Sequence, residues 1–293
     1  MKKPVEYYDP KTNKYPYSEY TDEHYLKVKK DSGVVFDNNY PYIDKRWFIR
    51  VLDFLVRVLL YLVIFLMVRV RLGLRIKGKE NLKRNKKVIK QGVISTCNHV
   101  HMWDFLGILC AIKPIRPRIL VWDKNIRGEN GALIRRVGGI PLPTDNPKGM
   151  VTCFKVVDDF LSHGGWLHIY PEQAMWEFYA PIRPFKRGFS YIAIQNNKPV
   201  IPFAYSYRRP GWIRRKIFHQ FALLTLNIGE PIYPNNDLMG KDRENDLTTR
   251  VHDAMVKLAG RDPGNKIYPA IFDNSKRVDY YTTEYGINYK GSK

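Results

Sequence analysis

His99 and Asp104 stand five residues apart in Cys97-Asn98-His99-Val100-His101-Met102-Trp103-Asp104. An imidazole held by a carboxylate is fixed in one tautomer and keeps one ring nitrogen basic. Such a pair is a general base for a hydroxyl. Inside a regular helix, residues five apart point well away from one another, so the chemistry requires a bend. The flanking sequence supplies one. Residues 91–96 are short and partly β-branched and read as a buried strand, whereas residues 105–112 are long and apolar enough for a helix. His99 is therefore expected at a strand-to-helix turn, with Asp104 one turn further on. The spacing alone recurs by chance in a chain with seven His. His101 makes a His-x-His that also reads as metal ligands, although no third ligand stands at a recognisable spacing.

The elements needed to hold such a turn are present. Residues 119–122 read as a strand, 130–136 as a short helix, and 138–143 as a rigid turn and strand edge. Phe154, Val157, Phe160 and Leu161 have helical spacing, and Gly164-Gly165 stops that helix. Strands are expected at 166–170, 200–205 and 221–228, a helix after Arg187-Gly188, a basic turn at 208–216 and an amphipathic helix at 246–258. Residues 74–78 alternate as a first strand would, and 78–81 read as a turn. Alternating strands and helices argue an α/β fold with a partly parallel sheet. Sites in such sheets form at the carboxyl ends of strands, where Asn98-His99, Gly139-Ile140-Pro141 and Pro171-Glu172 all fall.

The formal charge of +21 implies an anionic partner: nucleic acid, an acidic membrane surface or a phosphorylated substrate. Three Cys without metal spacing suggest no disulfide framework and a reducing, cytoplasm-facing location. The polar start leads into no apolar stretch, so no secretory signal is expected. Residues 1–46 contain eight of the twenty Tyr and read as an arm lying on the folded domain, with disorder as the alternative. Residues 54–68 form an apolar stretch broken by Arg57, about 22 Å as a helix and short of the roughly 30 Å hydrocarbon thickness. Lys45, Arg46 and Arg50 precede it, and Arg69 and Arg71 follow. A helix lying in one leaflet from the cytoplasmic side fits this pattern; a core helix and a single span are the alternatives. Ten Lys or Arg and one acid, Glu80, occupy residues 69–90, where they would meet anionic head groups. Basic residues concentrated beside an apolar helix, without a recognition motif, argue against nucleic acid.

One order of blocks is more specific. Asn98-His99-x4-Asp104 is followed by Gly139-Ile140-Pro141, Tyr170-Pro171-Glu172, Phe185-Lys186-Arg187-Gly188, Lys198-Pro199-Val200-Ile201-Pro202 and Gly229-Glu230-Pro231-Ile232. This order resembles the glycerolipid acyltransferases, most nearly the 1-acylglycerol-3-phosphate acyltransferases, over roughly residues 74–260. The resemblance implies a mixed, partly parallel sheet flanked by helices, and the apolar run before it adds an N-terminal membrane-associated helix. The chain is then expected to divide into an arm at 1–46, that helix at 47–72, an acyltransferase domain at 73–262 and a tail at 263–293. His99 would be the general base and Asp104 its orienter, with Asn98, Gly139, Glu172, Lys186 and Arg187 at the substrate. The acceptor would be a lysolipid such as 1-acylglycerol-3-phosphate, giving phosphatidic acid in phospholipid biosynthesis. The donor would be acyl carrier protein, acyl-CoA or acyl phosphate, with no cofactor and no metal. The location would be the cytoplasmic face of the cell membrane.

Two departures concern the acceptor. Thr144 stands where the second block usually ends in Arg, and Gln173-Ala174-Met175 replaces the usual Gly-Thr-Arg. The resemblance implies that those arginines hold the acceptor phosphate. Arg135, Arg136, Arg183, Lys186 and Arg187 are the candidate replacements; otherwise the acceptor is a different lysolipid. A non-catalytic lipid-binding protein on the same scaffold is the remaining alternative, against which the intact His99 and Asp104 argue.

Overall fold

Strand and helix alternate along the chain because the hydrophobic period does. The structure, a computed structural model, describes residues 31–218, 220, 222–265 and 270–271. The expected arm over residues 1–30 and most of the expected tail lie outside the described residues. First come α1 (Trp47–Arg71), β1 (Arg75–Lys77), α2 (Lys79–Arg84), α3 (Lys86–Ile89) and β2 (Val93–Thr96). Next are α4 (Asp104–Ala111), β3 (Arg118–Trp122), α5 (Asp123–Arg127), α6 (Gly131–Arg136) and β4 (Gly139–Leu142). Then follow α7 (Pro147–Ser162), β5 (Trp166–Ile169), α8 (Gly188–Gln195), β6 (Val200–Arg208), α9 (Trp212–Lys216), β7 (Leu223–Ile228) and α10 (Gly240–Leu258).

The seven strands form one sheet in the order β1-β7-β6-β2-β5-β3-β4. The block from β6 to β4 is parallel throughout, β7 runs antiparallel to β6, and β1 is parallel to β7. This is the expected mixed, partly parallel α/β sheet. β2 and β5 are buried at every position, as central strands covered on both faces must be. One face packs under α7, α8 and α10 through Val157, Leu161, Phe189, Val251 and Met255. The other packs under α4 and the end of α1 through Leu106, Leu109, Val68 and Leu72.

Local sequence explains the elements that matter for the site. In α7, Gly149, Cys153, Val157 and Leu161 recur every fourth residue and are its buried face. Asn146 caps it by accepting from Gly149 N at 3.0 Å, with Pro147 at the first helical position. Gly164, at φ +81°, turns the chain out of the helix into β5. In α4, a Cβ on Gly107 would lie 2.0 Å from the Tyr205 hydroxyl. Its absence lets the helix approach β6, and that hydroxyl donates to Asp104 O.

Three local expectations need correction. The basic turn at 208–216 is split: Arg208 still pairs with Leu223 across the sheet, and Trp212–Lys216 is a helical turn. α10 starts at Gly240 rather than 246, because its first residues are polar and carry no apolar period. The turn at 78–81 ends at Gly78, and α2 follows at once. Residues 31–46 lie along the domain: Phe36 and Tyr42 are buried in the core, and Arg135 donates to Pro41 O and Tyr42 O.

α1 is turned inside out. Asp53 pairs with Arg136 at 3.0 Å and Arg57 donates to Val137 O at 3.3 Å, so its central charges face the protein. Trp47, Leu55, Leu59, Leu62 and Leu66 face outward, each more than half exposed. Among the described residues no helix is long and apolar enough to cross a membrane.

Candidate active site

The chain leaves β2 at Thr96, passes Asn98 and His99, and re-enters regular structure at Asp104, the first residue of α4. The tight turn between them folds the Asp104 carboxylate back over its own entrance. Oδ2 accepts from Val100 N at 2.8 Å, His101 N at 3.2 Å and His99 Nδ1 at 2.8 Å. Oδ1 accepts from the Tyr170 hydroxyl at 2.7 Å. A carboxylate at a helix start also suits the positive end of the dipole. Burial of Asp104 (1% exposed) favours the neutral acid. The pull of the His99 ring when it is protonated and the bonds from His99, Tyr170 and Val100 outweigh it and hold the carboxyl below its ordinary value. With an ionised acceptor at Nδ1, the His99 proton sits there and Nε2 keeps its lone pair. The ring side chain is 23% exposed.

Tyr170 was not among the expected site residues. Its ring stacks on His99 with centroids 4.2 Å apart and planes at 21°, while its hydroxyl bonds Asp104. It thereby holds both partners in place. Tyr170→Phe keeps the stack and removes the hydroxyl bond. We expect about tenfold lower kcat with unchanged KM, the size of one hydrogen bond to a charged group realised at the reaction. A rise in KM alone would mean that Tyr170 contacts substrate instead.

Behind Tyr170, the His168 ring stands perpendicular to it at 4.7 Å. Trp166 Nε1 donates to Ser95 Oγ at 2.7 Å, leaving the hydroxyl proton for His168 Nδ1 at 2.8 Å. Burial pushes the His168 imidazolium down to about 3. An unfolded His protonates near 6.5, so between those values the unfolded chain binds the extra proton and stability falls as pH drops. At ~1.4 kcal/mol per pH unit, His168 should cost about 2 kcal/mol between pH 6.5 and pH 5. Urea unfolding of wild type and His168→Gln at both values checks this. Equal pH dependence in the two proteins would remove His168 as the cause.

Glu172 is buried and serves the turn. It accepts from His99 N at 3.2 Å, Arg183 N at 2.8 Å and Arg183 Nη2 at 3.2 Å. Arg183 Nη2 also reaches Ala174 O, and its guanidinium lies 4.4 Å from the Trp176 ring centre. Trp176 N donates to His99 O and Phe178 N to Val100 O, so residues 172–178 strap the His99 turn from outside. Burial pushes the Glu172 carboxyl up, although Arg183 and the two backbone N–H groups pull against it.

His99 and Tyr170 line a cavity of about 510 Å³ at the carboxyl ends of the parallel strands. Its walls are mainly apolar: Phe105 from α4, Leu120 and Trp122 from β3, Ile134 from α6, Phe154 from α7 and Phe189 from α8. Gly139, Thr144, Gln173 and Lys186 complete the parts relevant to recognition. Of the five cations considered as phosphate ligands, only Lys186 lines this cavity. Arg135 is spent on Pro41 O and Tyr42 O, Arg136 on Asp53, Arg183 on Glu172, and Arg187 points into solvent.

The expected site residues thus divide. His99, Gly139 and Lys186 line the cavity, with Asp104 directly behind His99. Asn98 does not line it: its amide accepts from Tyr205 N at 2.7 Å and donates to Tyr205 O, pinning the turn to β6. Glu172 likewise holds backbone. Cys97 is fully buried, and burial raises its thiol well above the ordinary range, so it is no nucleophile. His101 accepts from Trp103 N at 3.1 Å inside the turn.

Residues 73–206 match the family model described as Acyltransferase. A search of curated proteins finds no match. Among solved structures, the chain is similar to the 1-acyl-sn-glycerophosphate (LPA) acyltransferase PlsC from Thermotoga maritima. The identity is 18%, the TM-score 0.42, and the match covers 64% of this chain and 73% of that one.

Proposed function

We propose that this chain, an acyltransferase-family protein over residues 73–206, moves an acyl chain from an activated donor to the free hydroxyl of a lysoglycerolipid. The observation that carries this reading is a charge-held imidazole on the wall of an apolar cavity large enough for an acyl chain. His99 Nε2 takes the proton of the acceptor hydroxyl as its oxygen attacks the donor carbonyl. The carbonyl then re-forms, the bond to the carrier breaks, and the departing thiolate or phosphate takes the proton from the imidazolium. Asp104 keeps the ring oriented and offsets its transient charge. No covalent enzyme intermediate is needed, in keeping with the buried Cys97.

The first acceptor to offer is 1-acylglycerol-3-phosphate, with phosphatidic acid as product. A second acceptor class follows from one observation. Among the cations considered for a phosphate, Lys186 alone lines the cavity, and a phosphate monoester is best held by bidentate arginine. A lysolipid with a less charged head group is therefore offered in parallel. The outward apolar row of α1 supports a position on a membrane surface, since a large exposed apolar face marks an interaction site.

The test is transfer by the purified protein in detergent. Labelled acyl-CoA, acyl carrier protein and acyl phosphate are each offered with a panel of lysolipids. Product with any acceptor supports the reading, and the preferred acceptor identifies the head group. No product with any combination would favour a lipid-binding protein without catalysis.

A further inference from the structure

The segment between β6 and β7 carries a second outward apolar cluster, built around α9. Trp212, Ile213, Ile217 and Phe218 are each between 57% and 69% exposed. Arg214, Arg215 and Lys216 run through the middle of the same stretch. Soluble monomers rarely group exposed large apolar side chains in this way. The cluster is tied to the end of α1. Arg214 Nη1 donates to Val70 O at 2.8 Å, Gln220 Nε2 reaches the same oxygen at 3.2 Å, and Arg208 Nη2 bonds Gly73 O. The outward row of α1 ends at Leu66 and Val70, so the two apolar surfaces are held side by side.

We propose that the α9 segment is a second membrane contact, whose apolar side chains enter the interface of an anionic bilayer while Arg215 and Lys216 meet lipid phosphates. Charge chooses this occupant. A second copy of the chain docked on the same patch would set its cations against their like, within a protein already at +21. An anionic lipid surface instead complements them, and Trp is favoured at that depth. The mechanical consequence concerns orientation. A single helix lying on a bilayer leaves the domain free to roll about the helix axis. A contact joined to the end of α1 adds a second fixed point. α1 packs on α4 and α6, both of which line the cavity, so fixing the roll fixes how the cavity meets lipid.

This inference rests on the membrane-facing reading of α1, and the experiment separates the two. An environment-sensitive dye is placed on Ile217→Cys, on Leu62→Cys in α1 and on Met239→Cys, an exposed control site. The native cysteines are buried, so the introduced thiol takes the label. With vesicles of mixed phosphatidylglycerol and phosphatidylcholine, emission should shift to the blue at 217 and 62 but not at 239. A shift at 62 without one at 217 overturns the α9 contact and leaves α1 standing; no shift at either overturns both. A blue shift at 217 caused by unlabelled protein without vesicles would assign the face to a second copy and overturn the proposal. Arg215→Glu with Lys216→Glu should weaken binding to the mixed vesicles at least about tenfold. Unchanged binding would also overturn it. Binding is read without catalysis, so failure of the acyl-transfer assay does not decide this test.

Discussion

His99→Ala should lower the rate of acyl transfer at least about a hundredfold, with little change in the apparent affinity for either substrate. Removing a general base forfeits roughly 10²–10⁴ in rate, and among the described residues no neighbour of His99 is placed to replace it. Asp104 is buried and already accepts four hydrogen bonds. His101 is turned into its own loop, and burial lowers its basicity. His168 is fully buried and stays neutral to about pH 3. The fold should survive, because the backbone bonds of residue 99 to Glu172 and Trp176 do not use the ring. Initial rates across a donor and acceptor matrix, beside unchanged vesicle binding, give the measurement. Transfer at the wild-type rate in this variant would end the mechanism.

The second large effect is on stability. Arg183→Met should destabilise the protein by ~3–5 kcal/mol, the usual result of stranding one member of a buried ion pair. Both side chains are almost without solvent, at 1% and 2% exposure. Removing the guanidinium leaves the Glu172 carboxylate among backbone N–H groups with no counter-charge, and also vacates a bond to Ala174 O and the face of Trp176. Urea unfolding midpoints at pH 7 measure the loss. The double variant Glu172→Gln with Arg183→Met should recover part of it, since a neutral amide needs no cation. A single variant within about 1 kcal/mol of wild type would show that the pair is solvated in solution. The same substitution should depress activity, because residues 172–178 hold the carbonyls of His99 and Val100.

These two residues illustrate what could and could not be read in advance. His99 and Asp104 were legible because their positions are set by local pattern: a short buried run, a turn, an apolar helix. Their approach to 2.8 Å needs only the turn that the pattern predicts. Arg183 was legible as a cation but not as a partner of Glu172. Its type and position make it a candidate anion ligand beside Lys186 and Arg187, whereas the fold places it inward and, of these three, puts Lys186 alone on the cavity wall. Asn98 and Glu172 carry the right chemistry for substrate binding, yet their polar atoms are taken up by Tyr205, Arg183 and the His99 backbone. Polar residue types announce that a bond will be made without saying with whom.

The same division runs through the whole chain. Hydrophobic period and punctuation by Gly and Pro were enough for the α/β class with a partly parallel sheet, since each helix and strand is set by neighbours within a few residues and their alternation implies the crossovers. The tertiary structure decided the rest. Tyr170 meets Asp104 across 66 residues of chain, and Arg57 reaches Val137 across 80. The outward turn of the α1 aliphatic row follows from which of its faces the domain can satisfy. Contacts of that range come from sheet order and packing, which no local window contains; burial then chooses which charges turn inward and which reach the cavity wall.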